Sequence, residues 1–133
     1  MTTPLRFNAL LTANALLYLL VGMVFIFAGD DLLRRAGASG TPVEIALVQL
    51  LGAALFGLGM LNWMNRFAQV GGIYGRPLVV ANFANGFIGA LMLVHVAREL
   101  PMTVPLAAAM ATYALLALGF GARLLGSPVQ RAS

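Results

Sequence analysis

"VEIALVQLLGAALFGLGMLNWM", Val43 to Met64, is the stretch on which the fold class turns. Glu44, at its start, is its one charged residue. A helix of roughly 20 residues crosses a hydrocarbon core of about 30 Å, and this run is long enough to do so. Working outward, three more runs share its character, at about residues 7–28, 78–97 and 103–125. Over the whole chain 61% of residues are hydrophobic and 9% are charged, whereas a soluble domain carries about 25% charged residues. So little charge cannot cover a water-facing surface, and the expected bulk solvent is lipid. The expected fold is all-α: an integral membrane four-helix bundle forming a single four-span domain over residues 1–126, with a polar tail at 127–133.

The remaining composition narrows the chemistry. The chain has no cysteine, which excludes disulfides, thiolate zinc sites and redox pairs. The net charge of +4 comes entirely from arginine, and the arginines are spread over helix ends. Nucleic-acid binding needs a clustered basic face, so no nucleic-acid partner is expected. The expected partners are the lipid bilayer and a larger membrane complex or a second copy of the chain. The first run is too long for the apolar core of a signal peptide, and Phe27-Ala28-Gly29 makes a poor cleavage site. It reads as a retained span.

The connections follow from helix breakers. Gly29 and then "DDLLRRAGASGTP" read as the first connection, with Leu32 and Leu33 dipping back towards the interface. Pro42 suits the first turn of a helix, and Glu44 sits near its positive end. Pro77 and Pro105 open the third and fourth helices in the same way, and Gly126-Ser127-Pro128 stops the last. With four spans, the N-terminus, the second connection and the C-terminus share one side. That side holds Arg6, Arg66, Arg76, Arg123 and Arg131, against Arg34, Arg35 and Arg98 on the other. The positive-inside rule therefore puts both termini in the cytoplasm of a bacterial inner membrane.

The second connection, "NWMNRFAQVGGIYGRP", gathers polar and aromatic residues in an otherwise apolar chain. Arg66 and Arg76 read as anchors at the cytoplasmic headgroups, with Asn65 beside them. Trp63 and Tyr74 read as interface aromatics.

Six asparagines (Asn8, Asn14, Asn62, Asn65, Asn82 and Asn85) all fall at or within this same half. Asn14 and Asn85 each lie about eight residues inside a helix, so roughly 12 Å deep at 1.5 Å per residue. An amide facing lipid costs several kcal/mol. Asn14, Asn62, Asn82 and Asn85 are therefore expected to turn inward and face one another across helices one, two and three. Asn82, Asn85, Gly86 and Gly89 share one helical face, Asn14 and Tyr18 another, and Gln49, Gly52, Ala53, Phe56, Met60 and Trp63 a third. Ala53-xxx-Gly57 and Ala117-xxx-Gly121 are patterns of close helix approach. Two readings of the group Asn14, Tyr18, Gln49, Asn62, Asn82 and Asn85 stay open. They are interhelical contacts, or they line a cytoplasm-facing pocket for a lipid headgroup, a quinone carbonyl or a small neutral solute.

Catalytic chemistry is hard to assemble. No ionisable residue lies near the midplane of a span, where coupled transporters keep one. His95 is the only histidine, and a lone histidine makes a weak metal site. Ser39, Ser127 and Ser133 lie outside the spans, and "GGIYGR" lacks the strand–loop–helix setting of a nucleotide fingerprint. No catalytic residue, metal or cofactor is expected.

The first span ending "VFIFAGDDLLRRAGASGTP" and the second beginning "VEIALVQLLGAALFGLGMLNW" resemble the DoxX-like group of small four-helix bacterial membrane proteins. The resemblance covers about half of the chain. It implies an integral membrane protein, in some members associated with oxidoreductase partners. The segment "NWMNRFAQVGGIYGRPLVVANFANG" lies outside the pattern, so no activity is carried over. The expected function is a non-catalytic accessory or structural subunit packing against protein partners or lipid. The alternatives are a homo-oligomeric transporter or channel with an amide-lined cavity and, third, a lipid- or quinone-linked enzyme.

Overall fold

The structure, a computed structural model, describes residues 3–68 and 73–126. The side chain of Arg6, residues 69–72 of the second connection, and the expected tail at 127–133 with Arg131 lie outside the described residues. The described chain is all-α, with four helices: α1 (Thr3–Arg35), α2 (Pro42–Met64), α3 (Gly75–Glu99) and α4 (Val104–Gly126). Each is long and apolar enough to cross a membrane. The shortest have 23 residues, a rise of roughly 34 Å against a core of about 30 Å. This is a multi-pass membrane protein. The helices pair into two compact units, α1 with α2 and α3 with α4.

The first hairpin departs from expectation at its connection. Residues 29–35 are helical and extend α1 beyond a kink at Ala28 (φ −123°, ψ 22°). Gly29 bends the helix without ending it, and Leu32 and Leu33 are half-buried side chains of that extension. The stop comes at Gly37, whose φ of +76° is cheap only for glycine. There the Gly37 N–H bonds the Arg34 carbonyl (3.1 Å) and the Ala38 N–H the Leu33 carbonyl (2.9 Å). This paired closure satisfies carbonyls that the helix end would otherwise leave bare. Arg34 and Arg35 lie in the last turn, where cations favour the dipole. Arg34 also pairs with Asp31 and, at 3.6 Å, with Asp30.

Pro42 opens α2 as expected, and Glu44 does more than sit at a positive end. Thr41 Oγ1 accepts from the Glu44 N–H (3.3 Å), and Glu44 Oε2 accepts from the Thr41 N–H (2.7 Å) and from Ser39 Oγ (2.9 Å). Two orphan donors are thus satisfied reciprocally. In the second hairpin Thr103 Oγ1 accepts from the Leu106 N–H (3.4 Å) as α4 begins. Pro77 and Pro105 both fall in the first turns of their helices.

Within the first hairpin the helices meet backbone to backbone. A Cβ on Gly22 would stand 2.7 Å from the Gly52 carbonyl oxygen, and one on Gly59 would stand 2.9 Å from the Leu19 nitrogen. Ala15, Gly22 and Gly29 recur every seven residues on α1, as do Gly52 and Gly59 on α2. A seven-residue repeat keeps one seam facing a partner helix along its length. The small residues on that seam set the close approach. The buried set of α2 is Gly52, Leu55, Gly59 and Asn62, which corrects the expected stripe. Gln49, Ala53 and Met60 are exposed and Phe56 and Trp63 only partly buried. The Ala53-xxx-Gly57 pattern is not used here, since a Cβ on Gly57 would meet nothing within 4 Å.

In the second hairpin the Ala117-xxx-Gly121 pattern does lie at the contact. A Cβ on Gly86 would stand 2.8 Å from the Ala117 nitrogen, and one on Gly121 would stand 3.1 Å from the Phe83 ring. Gly89 leaves the space that the Tyr113 ring fills. Phe83 and Phe87 stack with centroids 5.6 Å apart. Around both seams the outer faces are apolar, with Leu20, Phe27, Leu50, Ile88, Leu115 and Leu118 all exposed. Hydrocarbon is the solvent that such faces match.

Candidate polar sites of the two hairpins

In the first hairpin the seam contacts run antiparallel, from Gly22 against Gly52 and Phe56 to Gly59 against Ala15 and Leu19. Continued by about one turn towards the end away from the connection, that register brings Asn14 level with Asn62. Asn14 is 2% exposed and Asn62 0%. Tyr18, one turn further along α1, is buried as well. Asn14, Tyr18 and Asn62 each engage a partner, although the Asn14 Oδ1 atom accepts no hydrogen bond. Gln49 lies nearer the connection. It is exposed, and its Nε2 donates to the Ile26 carbonyl of α1 (3.3 Å), a direct interhelical bond.

In the second hairpin the contacts of Gly86 with Ala117 and of Gly121 with Phe83 set Asn82 level with Gly121. Asn82 is 0% exposed, and its Nδ2 donates to the Leu78 carbonyl of its own helix (2.8 Å). Asn85, one turn on, is partly buried and engages a partner. Arg123, partly buried on α4 and two residues beyond Gly121, does so too. Sequence reasoning gave Arg123 only a topological part. Its place three residues inside the end of an apolar helix was the available signal.

The end of α2 holds the aromatic and basic group in a defined geometry. Asn65 caps the helix, its N–H and its Nδ2 both donating to the Leu61 carbonyl (3.1 and 2.9 Å). The Arg66 Nη1 donates to the Trp63 carbonyl (2.7 Å). Its guanidinium carbon stands 4.2 Å from the Trp63 ring centroid and 4.5 Å from that of Phe67. Both separations fall within cation–π range. Phe67 was not singled out from sequence, although it directly follows Arg66. At the start of α3, Tyr74 and Arg76 are exposed, and Tyr74 occupies the position before the first turn without a side-chain cap bond.

His95 is exposed on α3. Among the described residues, no three His, Asp or Glu side chains form a group that could hold a metal ion. Compared with known proteins, the chain matches no family model, no curated protein and no solved structure.

Proposed function

We propose that this protein is a non-catalytic subunit of a bacterial inner membrane, with both termini in the cytoplasm, whose apolar outer faces pack against a protein partner or lipid. The observation that carries this reading is the burial of the amides. Asn14, Asn62 and Asn82 are 2% exposed or less, and each has a partner. A buried side chain lines no open path, whereas a buried, engaged amide belongs to the packing of the protein. The glycine seams of both hairpins speak for the same structural role. A membrane subunit beside an oxidoreductase is the form that the DoxX-like pattern of α1 and α2 favours.

The test is affinity purification of the tagged chain from its native membrane in mild detergent, followed by mass spectrometry of protein and lipid. A second protein at fixed stoichiometry is the expected result. A chain that purifies alone and carries a neutral solute into proteoliposomes, with flux lost in Asn82→Leu, would replace this reading with transport.

A further inference from the structure

We propose that Arg66, stacked on Trp63 and Phe67 at the end of α2, recognises the headgroup of an anionic phospholipid. This inference does not depend on the subunit reading. The guanidinium has three close contacts: two rings, at 4.2 and 4.5 Å, and the Trp63 carbonyl at 2.7 Å. A guanidinium carries five N–H donors, and one of them is used by that carbonyl. The Leu61 carbonyl at the same helix end is served by Asn65, through its N–H and its Nδ2. Among the described residues Arg66 is thus a held fork with donors to spare, the geometry that suits a phosphate.

The charge around it points the same way. In this hairpin Asp30, Asp31 and Glu44 all lie at the connection end, roughly 30 Å away along α2. Asp30 and Asp31 pair with Arg34, and Glu44 is taken by the capping box. Among the described residues, no carboxylate forms an ion pair with Arg66.

Two features commit the site to a lipid and to an anionic one. Met64 and Phe67 beside it are 73% and 72% exposed, an apolar flank that suits acyl chains and has nothing to offer free phosphate. The Trp63 face, which would otherwise attract a quaternary ammonium, is occupied by Arg66. The positive end of a choline headgroup would therefore meet the Arg66 guanidinium on these rings, with no carboxylate paired there among the described residues. A headgroup with net negative charge meets no such mismatch.

Trp63 is the only tryptophan in the chain, so its fluorescence reports on this site alone. The experiment reconstitutes the full chain in phosphatidylcholine vesicles and replaces lipid stepwise with brominated phosphatidylglycerol or brominated phosphatidylcholine. Quenching yields the relative affinity of the two lipids next to Trp63. A preference of about fivefold for phosphatidylglycerol is expected, from the roughly 1 kcal/mol that a basic residue gains at an anionic surface. Arg66→Ala should bring the ratio close to one, with helicity by circular dichroism unchanged. Arg66→Lys, which keeps the charge but loses the fork and the stacking, should fall between. Arg35→Ala, at the other end of the hairpin, should leave the ratio as it was. A native ratio of one, or a ratio unmoved by Arg66→Ala, overturns the proposal. Equal ratios for Arg66→Lys and the native chain would overturn the stacked-fork geometry, and displacement of the lipid by millimolar glycerol phosphate would overturn the assignment to lipid. Should Arg66→Ala lose helicity, Phe67→Leu, which removes one stacking face, must lower the ratio for the proposal to stand.

Discussion

Replacing Gly22 by alanine would place a Cβ 2.7 Å from the Gly52 carbonyl oxygen, 2.8 Å from the Phe56 nitrogen and 3.0 Å from the Phe56 Cβ. Ordinary van der Waals contact begins at 3.4 Å, so α1 and α2 must part locally by about 0.7 Å. Two of the three obstructing atoms are backbone, so no rotamer change can yield the space. A gap of 0.5–1 Å forfeits about a quarter to a half of each affected dispersion contact, and overpacking of this kind costs about 1–3 kcal/mol. The greater helix propensity of alanine returns up to about 1 kcal/mol. The net expectation for Gly22→Ala is a loss of about 1–2 kcal/mol. Gly57→Ala is the internal control, because its Cβ would meet nothing within 4 Å. It should be neutral or stabilising by up to about 1 kcal/mol. Unfolding in mixed micelles of rising dodecyl sulfate fraction, followed by circular dichroism and Trp63 fluorescence, measures both. If Gly22→Ala unfolds at the native midpoint, or Gly57→Ala loses as much as Gly22→Ala, the glycine seam is not what holds this hairpin.

Further expectations concern the second hairpin, the buried amides and the topology. Gly89→Ala would put a Cβ 2.2 Å from the Tyr113 ring; it should destabilise α3–α4, and Tyr113→Ala in the same chain should remove most of that penalty in a double-mutant cycle. Asn62→Leu should lower the unfolding midpoint by about 1–2 kcal/mol, since it removes a wholly buried, engaged amide and strands its partner. Single cysteines at Ser39 and Ile73, both exposed, should react with a membrane-impermeant reagent from opposite sides, Ile73 from the cytoplasm. Labelling of both from one side would rule out a four-span topology.

The burial of three asparagines could be read from residue type and position. Asn14, Asn62 and Asn82 are buried because an amide in hydrocarbon is costly wherever it stands, and that reasoning needs no coordinates. Gln49 showed its limit: it bonds across to Ile26 while exposed, near a helix end. Arg66 reads as an interface anchor from sequence, but its stack on two rings depends on how the chain turns after Met64. Arg123 counted only as a positive charge from sequence, whereas in the fold it is partly buried and engages a partner.

The sequence by itself determined the helical class, the number of spans and most of their ends. Those properties follow from run length, from Pro42, Pro77 and Pro105, and from the lack of charge, all of them local. It did not determine which face of each helix meets its neighbour. In a water-soluble helix the apolar stripe marks that face, but here nearly every face is apolar, so the contrast that reveals a seam is missing. On paper Ala53 with Gly57 was the expected contact, whereas Gly52 with Gly59 is the pair that meets α1. Only the packed hairpin chose the second pair, because helix approach in an apolar solvent is decided by shape, and shape is complementary only once both backbones are in place.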